Sequence, residues 1–185
     1  MYRRLIISMM MLLCWMSLHA QRIALENNLF MDAMASVNLG VELEVGERAT
    51  VAIPGSFNFW DFSESAKFRH IAIQPEIRYW LDRAFDGHFF GFHTHYAFYN
   101  VGGIGPFTKL KENRYEGWLA GAGLSWGYNW MFAPRWGLEA TVGVGYAYTE
   151  YDKYPCGKCQ PASGHSTKHY FGPTKVALTL VFLIK

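Results

Sequence analysis

The chain reads as an all-β protein, an eight-stranded antiparallel up-and-down transmembrane barrel of the outer-membrane type. Three observations predict it: a long hairpin over residues 114 to 151 whose side chains are sorted by parity, an export signal at the N-terminus, and an alternation of short and long connections. In the first arm of the hairpin, Trp118, Ala120, Ala122, Leu124, Trp126, Tyr128, Trp130 and Phe132 share one parity. Gly117, Gly121, Gly123, Ser125, Gly127 and Asn129 share the other. After Ala133-Pro134-Arg135 the pattern repeats, with Trp136, Leu138, Ala140, Val142, Val144, Tyr146 and Tyr148 against Gly137, Glu139, Thr141, Gly143, Gly145 and Thr149. Alternate residues of a strand face opposite sides, so this is a sheet with one apolar, aromatic-edged face and one small or polar face.

The N-terminal element, residues 1 to 20, reads as a cleaved signal peptide, leaving residues 21 to 185 as one barrel domain. Arg3-Arg4 supply a positive start, Leu5 to Leu18 a short apolar core, and Leu18-His19-Ala20 a cleavage site before Gln21. A spanning helix needs about 20 apolar residues, so a removable signal fits better than an anchor. Cys14 continues that apolar core and reads as part of the signal rather than as a lipid-modified N-terminus. No later apolar run escapes interruption by Gly, Pro or charge, so contact with a membrane requires a closed barrel, which satisfies its backbone groups internally.

Composition agrees. Without Arg3 and Arg4, 15 basic residues balance 15 acidic ones, which leaves no electrostatic footprint for nucleic acid. Charged residues make up 17% of the chain, as do aromatic ones, against roughly 25% charge in ordinary soluble domains. The shift favours a surface that faces lipid.

Strands are predicted near residues 22 to 31, 37 to 46, 48 to 60, 69 to 81, 87 to 100, 114 to 132, 135 to 150 and 168 to 184. Gly46-Glu47-Arg48, Asp82 to Gly87 and Ala133-Pro134-Arg135 are short connections. Asp61 to Phe68, Asn100 to Asn113 and Tyr151 to Lys168 are longer, and Met31 to Ser36 is intermediate. Short periplasmic turns and longer external loops give this rhythm and put both termini in the periplasm. The rival is a soluble ligand-binding barrel with its apolar parity inward. The glycine density of the polar face opposes it, because a solvated strand face carries Thr, Lys and Glu. So does the clustering of Trp118, Trp130, Trp136, Tyr148, Phe57, Phe59 and Tyr79 towards the ends of the apolar face, as interfacial girdles require.

With the apolar parity outward, the lumen receives a polar network of Glu26, Glu42, Glu44, Gln74, Glu76, Arg78, His93, His95, Glu139 and Lys175, together with Asn28, Asn129 and Thr141. An eight-stranded barrel is only wide enough for side chains, so these groups should pair across it and plug it. Arg78 and Lys175 are the cations opposite Glu42, Glu76 and Glu139. The alternative is a proton or ion path, hence a narrow transport or sensing barrel.

Other constellations are weaker. His93 and His95 face one side of a strand, but zinc wants three or four ligands, so a hydrogen-bonded lumen pair is the plainer reading and neither metal nor cofactor is expected. Cys156-Gly157-Lys158-Cys159 reads as a disulfide clip in an oxidising compartment. Zinc with His165 and His169 is the sharper alternative, although the spacing from Cys159 is far below that of a finger. Ser163, Ser166, His165, His169, Asp152 and Glu150 share a loop region without a recognisable catalytic order, which leaves a lipid-modifying enzyme as a third reading.

Several stretches carry a resemblance that spans the chain after the signal: Asn28-Leu29-Phe30-Met31-Asp32-Ala33, Gln74-Pro75-Glu76-Ile77-Arg78-Tyr79-Trp80, Gly143-Val144-Gly145-Tyr146-Ala147-Tyr148 and His169-Tyr170-Phe171-Gly172-Pro173-Thr174-Lys175 among them. In these the chain resembles a Bacteroidota family of small exported outer-membrane β-barrel proteins, a domain of unknown function. The resemblance implies a bacterial envelope and gene neighbourhoods of surface structures such as fimbrial clusters; it brings no catalytic residue. The chain ends Phe182-Leu183-Ile184-Lys185 rather than in an aromatic residue. The expectation is therefore a non-enzymatic barrel in outer-membrane lipid, structural or adhesive, with an envelope or fimbrial protein as partner.

Overall fold

In the computed structural model, residues 22–61, 67–103, 113–155 and 164–184 are described. The elements run β1 (Ile23–Asn28), α1 (Leu29–Ala33), β2 (Val37–Gly46), β3 (Ala49–Asp61), β4 (Lys67–Ile73), β5 (Glu76–Trp80), β6 (Gly87–Gly102), β7 (Asn113–Ala133), β8 (Trp136–Pro155) and β9 (Gly164–Leu183). Apart from β4 and β5, consecutive strands pair antiparallel, and β1 closes the ring on β9 from Ala24↔Leu183 to Asn28↔Thr179. β4 and β5 pair with the same two strands, β3 and β6, and share one position. The result is a closed eight-stranded antiparallel barrel.

Parity sorts the faces as the hairpin predicts. On the outer face Leu124, Ile77 and Val176 are 64, 60 and 59% exposed, while Glu42 and His93 on the inner face are fully buried. The inward glycines answer to crowding: a Cβ on Gly123 would stand 2.5 Å from the Val144 carbonyl oxygen and 2.8 Å from Nε2 of His93, so β7 yields the space that β6 fills.

Three predicted elements are corrected. The first strand stops at Asn28 rather than residue 31, because the Asn28 side chain accepts the Phe30 N–H at 3.0 Å and caps α1. The strand expected over 69 to 81 breaks at Gln74-Pro75, since Pro75 has no N–H for the ladder; its carbonyl still accepts from Thr94 at 2.9 Å. The connection expected over Tyr151 to Lys168 is strand at both ends, with β8 and β9 paired as far as Lys153↔Gly164. The expected signal segment 1 to 20, with Cys14, and the pair Cys156 and Cys159 lie outside the described residues.

Candidate functional site

The interior is built in layers, beginning with an apolar seal at the end where β1 starts and β9 finishes. The turn between β5 and β6 folds inward: Trp80, Ala84, Phe85, Phe89, Val181 and Leu183 form a buried cluster with Ala24. Phe85 takes a left-handed backbone (φ 68°), and Nδ2 of Asn129 donates to its carbonyl at 2.8 Å. Arg22 closes the seal from outside, with its guanidinium 5.3 Å over the Phe85 ring, a donor to the Ala84 carbonyl at 3.0 Å and an ion pair with Glu44 at 2.7 Å.

Above the seal sits a charged layer centred on Arg78. Its Nη1 lies 2.8 Å from Glu26, 2.8 Å from Glu42 and 3.1 Å from Glu139, and its Nε lies 2.6 Å from Glu76. Lys175 Nζ meets Glu76 at 2.7 Å. Hydroxyls complete the shell: Thr50 donates to Glu42, Ser125 to Glu76 and Thr141 to Glu139. Below the guanidinium the Phe89 ring stands 4.8 Å from the Arg78 Cζ. All eight strand positions thus send a side chain to one cluster. A one-residue slip of any strand would turn its member to the outer face, so the cluster fixes register.

The next layer is neutral. Nε2 of His93 contacts the Thr174 hydroxyl at 2.9 Å, and Gln74 reaches across the lumen to donate to the Thr174 carbonyl at 3.2 Å. A cavity of about 110 Å³ lies beside it, lined by Glu26, Asn28, Asn38, Gln74 and Lys175 among others. The His95 ring lies tilted beside that of His93, with centroids 5.8 Å apart, and shares no third ligand with it among the described residues. Glu26, Glu42 and Glu139 do form a trio with metal-ligand spacing, but each already holds Nη1 of Arg78, where a cation would sit.

Of the predicted lumen residues, Glu26, Glu42, Glu76, Arg78, Glu139 and Lys175 meet in the charged layer; Gln74, His93 and His95 lie above it, and Glu44 pairs with Arg22 at the seal. Sequence reasoning did not find the inward aromatics Trp80, Phe85 and Phe89. Trp80 shares the parity of Arg78, which was the available signal.

At the opposite end β7, β8 and β9 rise as an extension together with β6, which stays paired to β7 as far as Gly102↔Arg114. Here His165 bridges two carboxylates, Nδ1 to Asp152 at 2.9 Å and Nε2 to Glu150 at 2.9 Å. The hydrogen bond that His165 donates to Asp152 is the main cause of a pKa raised above the ordinary histidine value. His169 Nδ1 contacts the Tyr146 hydroxyl at 2.5 Å. Ser56 and His70 approach to 3.3 Å, but Nδ1 of His70 has no hydrogen-bond partner among the described residues, so no orienting acid completes a triad there.

The fold and this interior define a class: a small closed β-barrel whose lumen is filled by paired charges. The chain belongs to the family described as Protein of unknown function (DUF3575), whose model matches residues 6–184. No curated protein and no solved structure matches the chain.

Proposed function

We propose that the protein is an integral barrel of a bacterial outer membrane, non-catalytic, with a plugged polar lumen and a structural, adhesive or assembly role at the cell surface. The observation that carries this reading is the apolar belt. Leu39, Ile53, Ile77, Phe92, Leu124, Val144 and Val176, from seven strands around the ring, are all exposed to the outside. Soluble proteins seldom expose a contiguous apolar patch beyond a few hundred Å². Trp118 and Trp130 bracket the belt on β7, and at about 3.3 Å rise per residue and a tilt of about 40° they stand about 30 Å apart along the axis. That is close to the height of about 25 Å between aromatic girdles in outer-membrane barrels.

β7, β8 and β9 are 21, 20 and 20 residues long, whereas about 9 to 11 suffice to cross. The surplus forms the extension that carries His165, Asp152 and Glu150, and the surface role is assigned to it. The short turns, the start of β1 and the end of β9 lie at the other end, which we assign to the periplasm; an envelope or fimbrial protein would be met outside. Fractionation tests the location: the chain should stay with outer membranes through alkaline carbonate extraction. Recovery as a detergent-free soluble species would refute it.

A further inference from the structure

β9 has two neighbours in the closed ring, but they do not cover it equally. β1 pairs with it only from Thr179 to Leu183, and α1 packs beside the stretch just above, where Met31 shares a cavity wall with Thr174 and Ala177. From Gly164 to Gly172 the ladder to β8 is continuous, and among the described residues nothing pairs with the other edge. Every side chain from Gly164 to Phe171 is exposed, on both faces of the strand, with Phe171 at 82%.

Pro173 sets the phase of that edge. It pairs with Val144 yet has no N–H, so this is a pair whose main-chain groups point away from β8. The Pro173 carbonyl indeed accepts from the Tyr170 hydroxyl at 3.2 Å instead. Counting back by twos along the unbroken register, Phe171, His169, Thr167 and His165 aim their N–H and C=O groups at the open edge, while Tyr170, Lys168 and Ser166 bond to β8. An unpaired row of this length is a template for another strand.

We propose that the β9 edge from Gly164 to Phe171 is a docking site for an extended segment of a separate protein, added as a ninth barrel-wall strand through main-chain hydrogen bonds. The inference rests on the membrane reading above. A second copy does not fit: two barrels in one membrane share orientation, so their β9 strands would cross at about twice the 40° tilt, against about 20–25° between sheet neighbours. Opposed Lys168 side chains would add repulsion. The partner segment is instead specified by what it would face. An aromatic or β-branched residue continues the outer cluster of Tyr146, Tyr148, His169 and Phe171, in which His169 lies 5.9 and 5.4 Å from the two tyrosine rings. A carboxylate answers Lys168 on the inner face.

The test uses the full chain in lipid nanodiscs and a synthetic strand peptide that alternates threonine with valine and carries one glutamate and one tyrosine. Amide hydrogen exchange of the protein alone should show fast amides at His165, Thr167, His169 and Phe171 between slow ones at Ser166, Lys168 and Tyr170. Uniform protection would mean the edge is already covered and would overturn the proposal. Fluorescence anisotropy should show the peptide binding and slowing the four fast amides, with affinity falling at least about tenfold when its alternate amides are N-methylated. Thr167→Pro removes an edge donor and leaves the β8 ladder intact, so it should weaken binding by a similar factor with barrel folding, read by heat-modifiable gel migration, unchanged. No binding by the peptide, equal binding by its methylated twin, full binding by the proline variant, or protein that dimerises through β9 would each overturn the site. Carbonate extraction of the same preparation reports the membrane reading separately.

Discussion

Arg78 is shared by four carboxylates, Glu26, Glu42, Glu76 and Glu139, all buried. Removing its charge leaves buried acids without their common partner, which costs far more than the net worth of the pairs. Arg78→Gln should therefore lower stability by about 3–5 kcal/mol in urea titrations followed by tryptophan fluorescence. His165 makes the opposite kind of prediction, because it is exposed and matters for charge state rather than stability. Its raised pKa comes first from the hydrogen bond to Asp152 and then from Glu150. The protonated, carboxylate-held form persists above the ordinary histidine midpoint, and any stabilisation it gives is complete below the unfolded-state pKa and lost as pH rises through the folded one. In an NMR titration the His165 midpoint should lie above about 6.5, and Asp152→Asn should move it down. An unchanged midpoint in that variant would show that the carboxylate is not the cause. At this scale the sequence already opposed Glu42, Glu76 and Glu139 to Arg78 and Lys175 by parity. Glu26 was placed in the lumen but not on the same guanidinium, because that contact depends on the closure of β1 against β9, which no local pattern encodes.

Strand β7 alternates tryptophans and small apolar residues outward with glycines inward, and the glycines are a packing device. Gly123→Ala would place its Cβ against the Val144 carbonyl, His93 and Thr174, closer than van der Waals contact to all three. It should destabilise the barrel by about 1–3 kcal/mol in the same titration, whereas an outward Ala122→Val should stay near wild type. Equal losses from the two would mean that the inner face is not the tight one. The parity of β7 and β8 was readable because each strand alternates without interruption. What escaped the sequence reading is what the chain does where alternation meets a second constraint. Asn28 caps α1, Pro75 splits one strand position into β4 and β5, and the turn after Trp80 folds its Phe85 into the lumen. The ladder between Tyr151 and Lys168 was missed for a related reason, since Tyr151-Asp152-Lys153-Tyr154 and Gly164-His165-Ser166-Thr167-Lys168 carry no two-residue apolar alternation.

Taken as a whole, the barrel is closed twice over, and this favours a plug over a path. The apolar seal of Trp80, Phe85 and Phe89 closes the end where β1 starts and β9 finishes, and the paired charges around Arg78 close the middle. An ion crossing the lumen would have to displace both, passing first an apolar constriction and then breaking buried ion pairs. Planar-bilayer recordings of the wild-type protein should therefore show no steady open conductance. Phe85→Ala should not open it either, because the charged layer remains, and a channel should emerge only when Arg78→Gln is combined with loss of the seal, if the doubly weakened barrel still folds by gel migration. Stable conductance in the wild type would reverse the assignment: the Arg78 cluster would then be a conducting filter, and the narrow transport barrel would replace the surface scaffold as the reading of this fold.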